Sequence, residues 1–207
     1  MKPKGYRDVL ATLRVSYDRG AAERDAEVKP EWKLPERAAF LDRLRRQRGQ
    51  RLLEIGAGTG QDSLYFQDNG LSVVATDAST EMVARCREKG LEAHAMDFLE
   101  LDFEPTSFDA IYAMNSLLHV SNADLPAVLD AIRALLKPGG LFFLGAYRGE
   151  DSEGPLPWDS HDPPRFFSLR RDETLQRMLG KHFEPIDFHV VELEDHPFQS
   201  VTSRRPT

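Results

Sequence analysis

Residues 51–60, Arg-Leu-Leu-Glu-Ile-Gly-Ala-Gly-Thr-Gly, run a short apolar stretch directly into three alternating glycines. Seventeen residues past the last of them, Leu-Ser-Val-Val-Ala-Thr-Asp closes a second apolar stretch on the carboxylate of Asp77. A buried strand that turns on glycines, next to a strand that ends in an acid, is the layout of an open α/β sheet with a crevice at its strand ends. Glycines let a ligand approach the backbone closely, and an acid so placed can accept both hydroxyls of a ribose. The pair therefore implies a ligand that carries an adenosine.

The spacing narrows the choice of nucleotide. A dinucleotide fingerprint reads G-x-G-x-x-G and opens a helix whose N-terminus holds a pyrophosphate. Here Gly56, Gly58 and Gly60 give G-x-G-x-G, and Gln61 stands where the third glycine of that fingerprint belongs. Glu54, two residues before the turn, would oppose a pyrophosphate and suit a cationic ammonium. No Gly-Lys-Ser/Thr follows, which excludes a P-loop. A nicotinamide oxidoreductase is disfavoured on the same grounds.

Periodicity places the surrounding elements. Residues 6–48 read as polar helices, with Tyr6, Val9, Leu10 and Leu13 on one face and Pro35 near the start of a second helix ending before Gly49. Strands are expected at 52–55, 71–76, 92–95, 108–114 and 141–147, alternating with helices at 60–68, 80–89 and 125–136. This alternation predicts a parallel sheet with right-handed crossovers. Residues 149–164 are rich in Gly, Pro, Asp and Ser and read as a long loop. A helix at 171–179 and strands at 186–193 and 198–204, joined through Asp195-His196-Pro197, complete the chain as an antiparallel hairpin. The expected fold is a doubly wound, mostly parallel seven-stranded α/β sheet with helices on both faces.

Leu53-Glu54-Ile55-Gly56-Ala57-Gly58-Thr59-Gly60 resembles the first motif of the class I, Rossmann-like, S-adenosylmethionine-dependent methyltransferases. Val73–Met82 resembles that family's second strand and ribose-binding acid, Met96-Asp97-Phe98 its adenine-contacting turn, Phe108–Asn115 its fourth strand, and Leu135–Phe143 the turn before its fifth. The motifs stand in family order over roughly residues 40–150.

The resemblance implies S-adenosyl-L-methionine as cofactor and S-adenosyl-L-homocysteine as product. It implies that Gly56, Ala57, Gly58 and Gly60 pack on the methionine part, that Glu54 balances its ammonium, and that Asp77, with Ala78 beside it, takes the ribose. Asp97 would accept from the adenine amine, with Phe98 and Met82 against the ring, and Asn115 would lie near the sulfur. It further implies one domain in three parts: a helical lid over 1–48, a cofactor-binding core over 49–147, and a substrate side over 148–207.

Catalytic residues are poorly specified, because the reaction needs alignment more than special chemistry. His119, four residues past Asn115, titrates near neutrality and is the candidate base. Tyr17, in Ser16-Tyr17-Asp18-Arg19, resembles the lid segment of many small-molecule methyltransferases. Arg148, Trp158 and Arg165 flank the long loop and are candidates for holding substrate, the arginines by clamping a carboxylate. His94, His182, His189 and His196 read as structural or solvent-exposed.

Several readings are excluded or demoted. DNA amino-methyltransferases resemble one another in an Asn/Asp-Pro-Pro-aromatic motif after the fourth strand, where this chain has Met114-Asn115-Ser116-Leu117; Asp162-Pro163-Pro164-Arg165 is misplaced for it. Cys86 lacks the preceding proline of cytosine-C5 enzymes. No metal-ligand spacing stands out. With 27 basic against 34 acidic residues the net charge is −7, which argues against a nucleic-acid partner. One cysteine among 207 residues and no signal peptide or membrane span point to the cytoplasm and no membrane. The expectation is a small-molecule O- or N-methyltransferase, monomeric or homodimeric. Methylation of a peptide or protein terminus and a non-catalytic S-adenosylmethionine-binding role are the alternatives.

Overall fold

The computed structural model describes residues 5–194 and 196–207, so Asp195 of the expected connector and residues 1–4 of the expected helical lid lie outside the described residues. The first strand, β1 (Arg51–Ile55), is followed by α3 (Gln61–Asp68), β2 (Ser72–Asp77), α4 (Thr80–Glu88), β3 (Glu92–Ala95), β4 (Phe108–Met114), α5 (Leu125–Leu135) and β5 (Leu136–Tyr147). Two helices precede it, α1 (Tyr6–Ala26) and α2 (Lys33–Arg46). After it come β6 (Ser152–Gly154), β7 (Phe167–Leu169), α6 (Asp172–Leu179), β8 (Glu184–Val191) and β9 (Phe198–Arg204).

Seven strands form one sheet in the order β3-β2-β1-β4-β5-β9-β8. The first five are parallel, while β9 runs antiparallel to both β5 and β8. The last strand is thus inserted between its predecessor and the body of the sheet.

Strand alternation sorts the core into two faces. Leu52, Val73, Tyr112 and Phe143 pack with Phe40, Leu41 and Leu44 of α2 and Phe66 of α3. Leu53, Val74, Ile111 and Phe142 pack with Val128, Leu129 and Ile132 of α5 and Leu175 and Leu179 of α6. Burial of both faces explains why β1, β4 and β5 read as continuous apolar runs. Among the described residues no helix is long and apolar enough to cross a membrane.

Two details depart from expectation. Pro138-Gly139-Gly140, expected as a turn before β5, is an excursion inside it. Phe108 pairs with Leu136, the register slips, and Ala110 pairs with Leu141. The segment 149–164 is not a bare loop, because β6 pairs antiparallel with β7 in a separate small sheet. Polar side chains staple it: Asp151 accepts from the Arg171 and Thr174 side chains, and Glu153 accepts from Ser168 Oγ at 3.0 Å. Such pairs hide behind a Gly/Pro/Asp composition, which signals turns and not their partners.

Candidate active site

The glycine turn leaves β1 and enters α3. Gly56 and Gly58 both take left-handed φ, +67° and +56°, where a side chain is strained. Gly56 is also a packing requirement, since a Cβ there would stand 2.3 Å from Ser116 Cβ. Gly58 differs: a Cβ there would meet nothing within 4 Å and would project into an open cleft that Gly58 lines. Gly60 faces away, towards Cys86 and Leu91 under α4, and lies outside the cleft lining.

Two acids stand at the turn. Asp77 closes β2, and its two oxygens accept from the Gly58 and Ser79 amides, each at 2.9 Å. Burial pushes its carboxyl above the ordinary range. Glu54, on β1, is 3% exposed and accepts from Ser63 Oγ at 2.5 Å. Burial, and then the nearby Asp62 carboxylate, push its carboxyl up as well. Both acids would be eased by hydroxyl donors or a cation from a ligand.

The roof is α1. Tyr6, Leu10, Leu13 and Tyr17, at successive helical turns, line a cleft that is open to solvent on one side. The Tyr6 ring stacks on Phe98 at 5.6 Å, and Met82 lies alongside in the lining. Polar ties fasten the roof to the core. Ser79 Oγ donates to Asp18 at 2.5 Å, Gln61 Nε2 donates to the Glu27 carbonyl at 2.8 Å, and Lys89 pairs with Asp25.

Tyr17 and His119 meet on the cleft wall. His119 lies in a 3-10 turn, Leu117–His119, just past β4. Its Nδ1 is 2.6 Å from the Phe166 carbonyl, which can only accept, so Nδ1 carries the proton. Nε2 is then an acceptor, and Tyr17 Oη donates to it at 2.5 Å. Arg165 Nη1 donates to Tyr17 Oη at 3.1 Å. Burial pulls the His119 pKa down to about 3, so the ring is neutral across the physiological range.

Between the glycine turn and His119 the chain passes through Asn115, at φ +54°. Few residues other than glycine tolerate this region, and asparagine is one of them. The Asn115 amide donates to the Gly145 carbonyl at 2.8 Å, which anchors the bend. Asn115 Oδ1 and Ser116 Oγ are buried in the cleft lining and have no hydrogen-bond partner among the described residues. Buried polar atoms are normally paired. Together with the open face of Gly58, they fit a site whose remaining partners belong to a polar ligand.

The structure gathers Glu54, Gly56, Ala57, Gly58, Asp77, Ala78, Met82, Phe98, Asn115, His119 and Tyr17 around this one cleft. Asp97 stands just behind it, accepting from the Leu99 amide at 2.9 Å with Arg14 at 3.7 Å. The candidates for holding substrate are placed differently. Arg148 lies outside the lining and pairs with Asp172 at 3.3 Å. Trp158 is 42% exposed and packs on His196 and Phe167. Arg165 is held by Asp159 at 2.7 Å and reaches the site only through Tyr17. None of the three lines the cleft; Arg148 and Arg165 are paired with internal carboxylates, and Trp158 packs on rings.

Tyr6, Leu10, Leu13, Lys29, Lys33 and Asp62 also line the cleft, though none of them reads as a site residue in the sequence. The apolar face of α1 was visible, but a helical stripe does not say whether it covers core or ligand.

Arg170 holds the His119 turn from behind. It is 3% exposed and donates to the Val120 carbonyl at 2.6 Å and to Asn122 Oδ1 at 2.7 Å. Lysine cannot reproduce that fork. Arg170→Lys is expected to destabilise the protein by about 2–4 kcal/mol, as a buried charged network is broken. Urea unfolding would show it as a lowered midpoint, and an unchanged midpoint would mean the fork contributes nothing.

Comparison with known proteins agrees with this geometry. Residues 52–140 match the family model described as a methyltransferase domain. A phosphoethanolamine N-methyltransferase of Triticum aestivum is 28% identical over 167 residues, 77% of this chain and 32% of that protein. The chain thus spans about a third of that relative's length. A methyltransferase of Synechocystis sp., itself uncharacterized, is 30% identical over 150 residues, 69% of this chain and 68% of that protein. Among solved structures, the 1,6-didemethyltoxoflavin-N1-methyltransferase of Burkholderia thailandensis, with bound 1,6-didemethyltoxoflavin and S-adenosylhomocysteine, superposes with a TM-score of 0.82 at 23% identity. That likeness covers 100% of this chain and 93% of the other. The fold, the ordered motifs and these matches place the chain in the family of class I, S-adenosylmethionine-dependent methyltransferases.

Proposed function

We propose that this chain transfers a methyl group from S-adenosylmethionine to an oxygen or nitrogen of a small molecule that must lose a proton. The observation that carries the reading is the Tyr17–His119 pair on the wall of the cleft that also holds Asp77 and Gly58.

The cofactor supplies an activated sulfonium methyl that departs by in-line displacement. The chain's own task is to hold both partners and exclude water. Asp77 takes the ribose hydroxyls, and Glu54 balances the ammonium. Tyr6, Leu10, Met82 and Phe98 form an apolar slot for the adenine, with Asp97 behind it.

Counting hydrogen bonds assigns Tyr17 its role. A hydroxyl offers one donor and two acceptor positions. The donor is committed to His119 Nε2, and Arg165 uses one acceptor position. One lone pair remains for an N–H or O–H of the acceptor. The phenol oxygen accepts a hydrogen bond from that N–H or O–H and holds the acceptor atom in line with the methyl. His119, which burial keeps neutral, fixes the phenol, and the acceptor's proton is lost to water once the methyl has transferred. An acceptor without a removable proton gains nothing from this arrangement.

The closed roof favours a small acceptor over a peptide terminus, since segment 149–164 is stapled down and offers no open groove. A lone buried cysteine suits a reducing cytoplasm.

Calorimetric titration with S-adenosylmethionine, S-adenosylhomocysteine and NAD tests the reading. Micromolar binding of the first two, with none of NAD, is expected. Binding of NAD alone would overturn it.

A further inference from the structure

Three basic side chains reach the cleft from the end of α1 and the start of α2: Arg24, Lys29 and Lys33. The first two have partners. Arg24 pairs with Glu27 at 2.7 Å, and Lys29 with the buried Asp62 at 2.5 Å. Lys33 is 5% exposed, and its Nζ has no hydrogen bond or ion pair among the described residues. Its nearest aromatic neighbour is the Trp32 ring, 5.2 Å from Nζ.

A buried lysine without a counter-ion costs stability. It persists at little penalty if a ligand supplies the anion. The groups around it are Lys29, Arg24 and Glu27 on its own side and Asp62 from α3 across the cleft. Asp62 is already shared between Lys29 and Arg37, the latter at 3.2 Å. Asp62 is therefore committed elsewhere, and neither Glu54 nor Asp77, the other acids of the cleft lining, pairs with Lys33.

Glu54 lines the same cleft as a buried carboxylate that needs a cation. One cleft thus offers an unmet cation and an unmet anion beside the backbone of Gly56–Thr59. An α-amino acid presents the complementary pair on a single carbon.

We propose that Lys33 is the receptor for the carboxylate of the cofactor's amino-acid end, opposite Glu54 for its ammonium. This rests on the cofactor reading above and adds a residue that the family motifs do not contain. It also carries a proton. Burial, and then Lys29 and Arg24, lower the Lys33 pKa to about 7 in the unliganded protein. A carboxylate beside it raises that value, so binding at pH 8 recharges the amine.

The test compares wild type with Lys33→Met, which keeps the length and loses the charge. Both are titrated with S-adenosylhomocysteine and with 5′-methylthioadenosine, which has the same adenosine and thioether but no amino acid. The variant is expected to lose between about tenfold and a hundredfold in affinity for the first ligand, as for one charge-assisted hydrogen bond. It should bind the second within about twofold of wild type. Unliganded Lys33→Met should melt at or above the wild-type temperature, since an uncompensated charge has gone. Titration at pH 8 in two buffers of different ionisation enthalpy should show wild type taking up more protons than the variant on binding S-adenosylhomocysteine.

Equal losses for both ligands would overturn the proposal and make Lys33 a shaping residue of the cleft. Unchanged affinity for S-adenosylhomocysteine would also overturn it and give the lysine to an anionic acceptor. Failure of wild type to bind either ligand would instead sink the cofactor reading itself.

Discussion

Asp77→Ala is expected to lower the affinity for S-adenosylhomocysteine by at least about a hundredfold, measured by calorimetry. A carboxylate facing two ribose hydroxyls makes two charge-assisted hydrogen bonds, each contributing about 1.5–3 kcal/mol. The loss is compounded locally. Asp77 also accepts from the Gly58 and Ser79 amides, so alanine leaves two donors without partners at the glycine turn. Asp77→Asn separates the two effects, because its carbonyl oxygen can keep one amide while the charge is gone. It should fall between wild type and alanine. A loss under tenfold in the alanine variant, with its melting temperature preserved, would refute the ribose assignment.

Tyr17→Phe is expected to lower kcat by about 10–100-fold, as for the loss of one positioning hydrogen bond of about 1.5–3 kcal/mol. It should leave S-adenosylhomocysteine affinity nearly unchanged, because the assigned role is towards the acceptor. The ring stays, so the T-shaped contact with His119 at 5.6 Å is retained and only the hydroxyl is removed. The pH profile adds a second readout. A histidine held near its ordinary value would lose acceptor capacity below pH 6.5. His119 keeps it down to about pH 3, so wild-type kcat should show no inflection near 6.5 from this ring. The same shift acts on stability. The folded ring stays neutral while the unfolded one protonates, so its contribution worsens as pH falls from about 6.5 towards 3 and is level above that window. A kcat within threefold of wild type in Tyr17→Phe would remove the phenol from the mechanism.

The parts legible in the sequence were those governed by local chemistry. β3 at 92–95, β4 at 108–114 and β9 at 198–204 have the bounds that alternation and turn residues indicate. Gly56, Gly58 and Asp77 could be read because a glycine turn and a terminal acid are coupled by one geometry. What could not be read was partnership across distance. Arg148 and Arg165 looked free, and the structure spends their charge on Asp172 and Asp159. Lys33 lies in a stretch that reads only as polar helix, and folding buries it in the cleft wall. The 3.6-residue repeat of α1 announced a face without saying that the face would roof a cavity. The β6–β7 pairing joins strands of three residues each, too short to carry a period-2 signal.

The order of the last two strands bears on how the molecule is made. β8 enters the sheet only through β9, and β9 is later in the chain. Until β9 docks, β8 lacks its native partner while β5, apolar on both faces, has an unpaired flank. Until residues 198–204 arrive, that flank is a template for any other extended segment nearby. A chain in which β9 has not docked therefore leaves the β5 flank open to wrong strand pairing, and the docking of seven residues closes it.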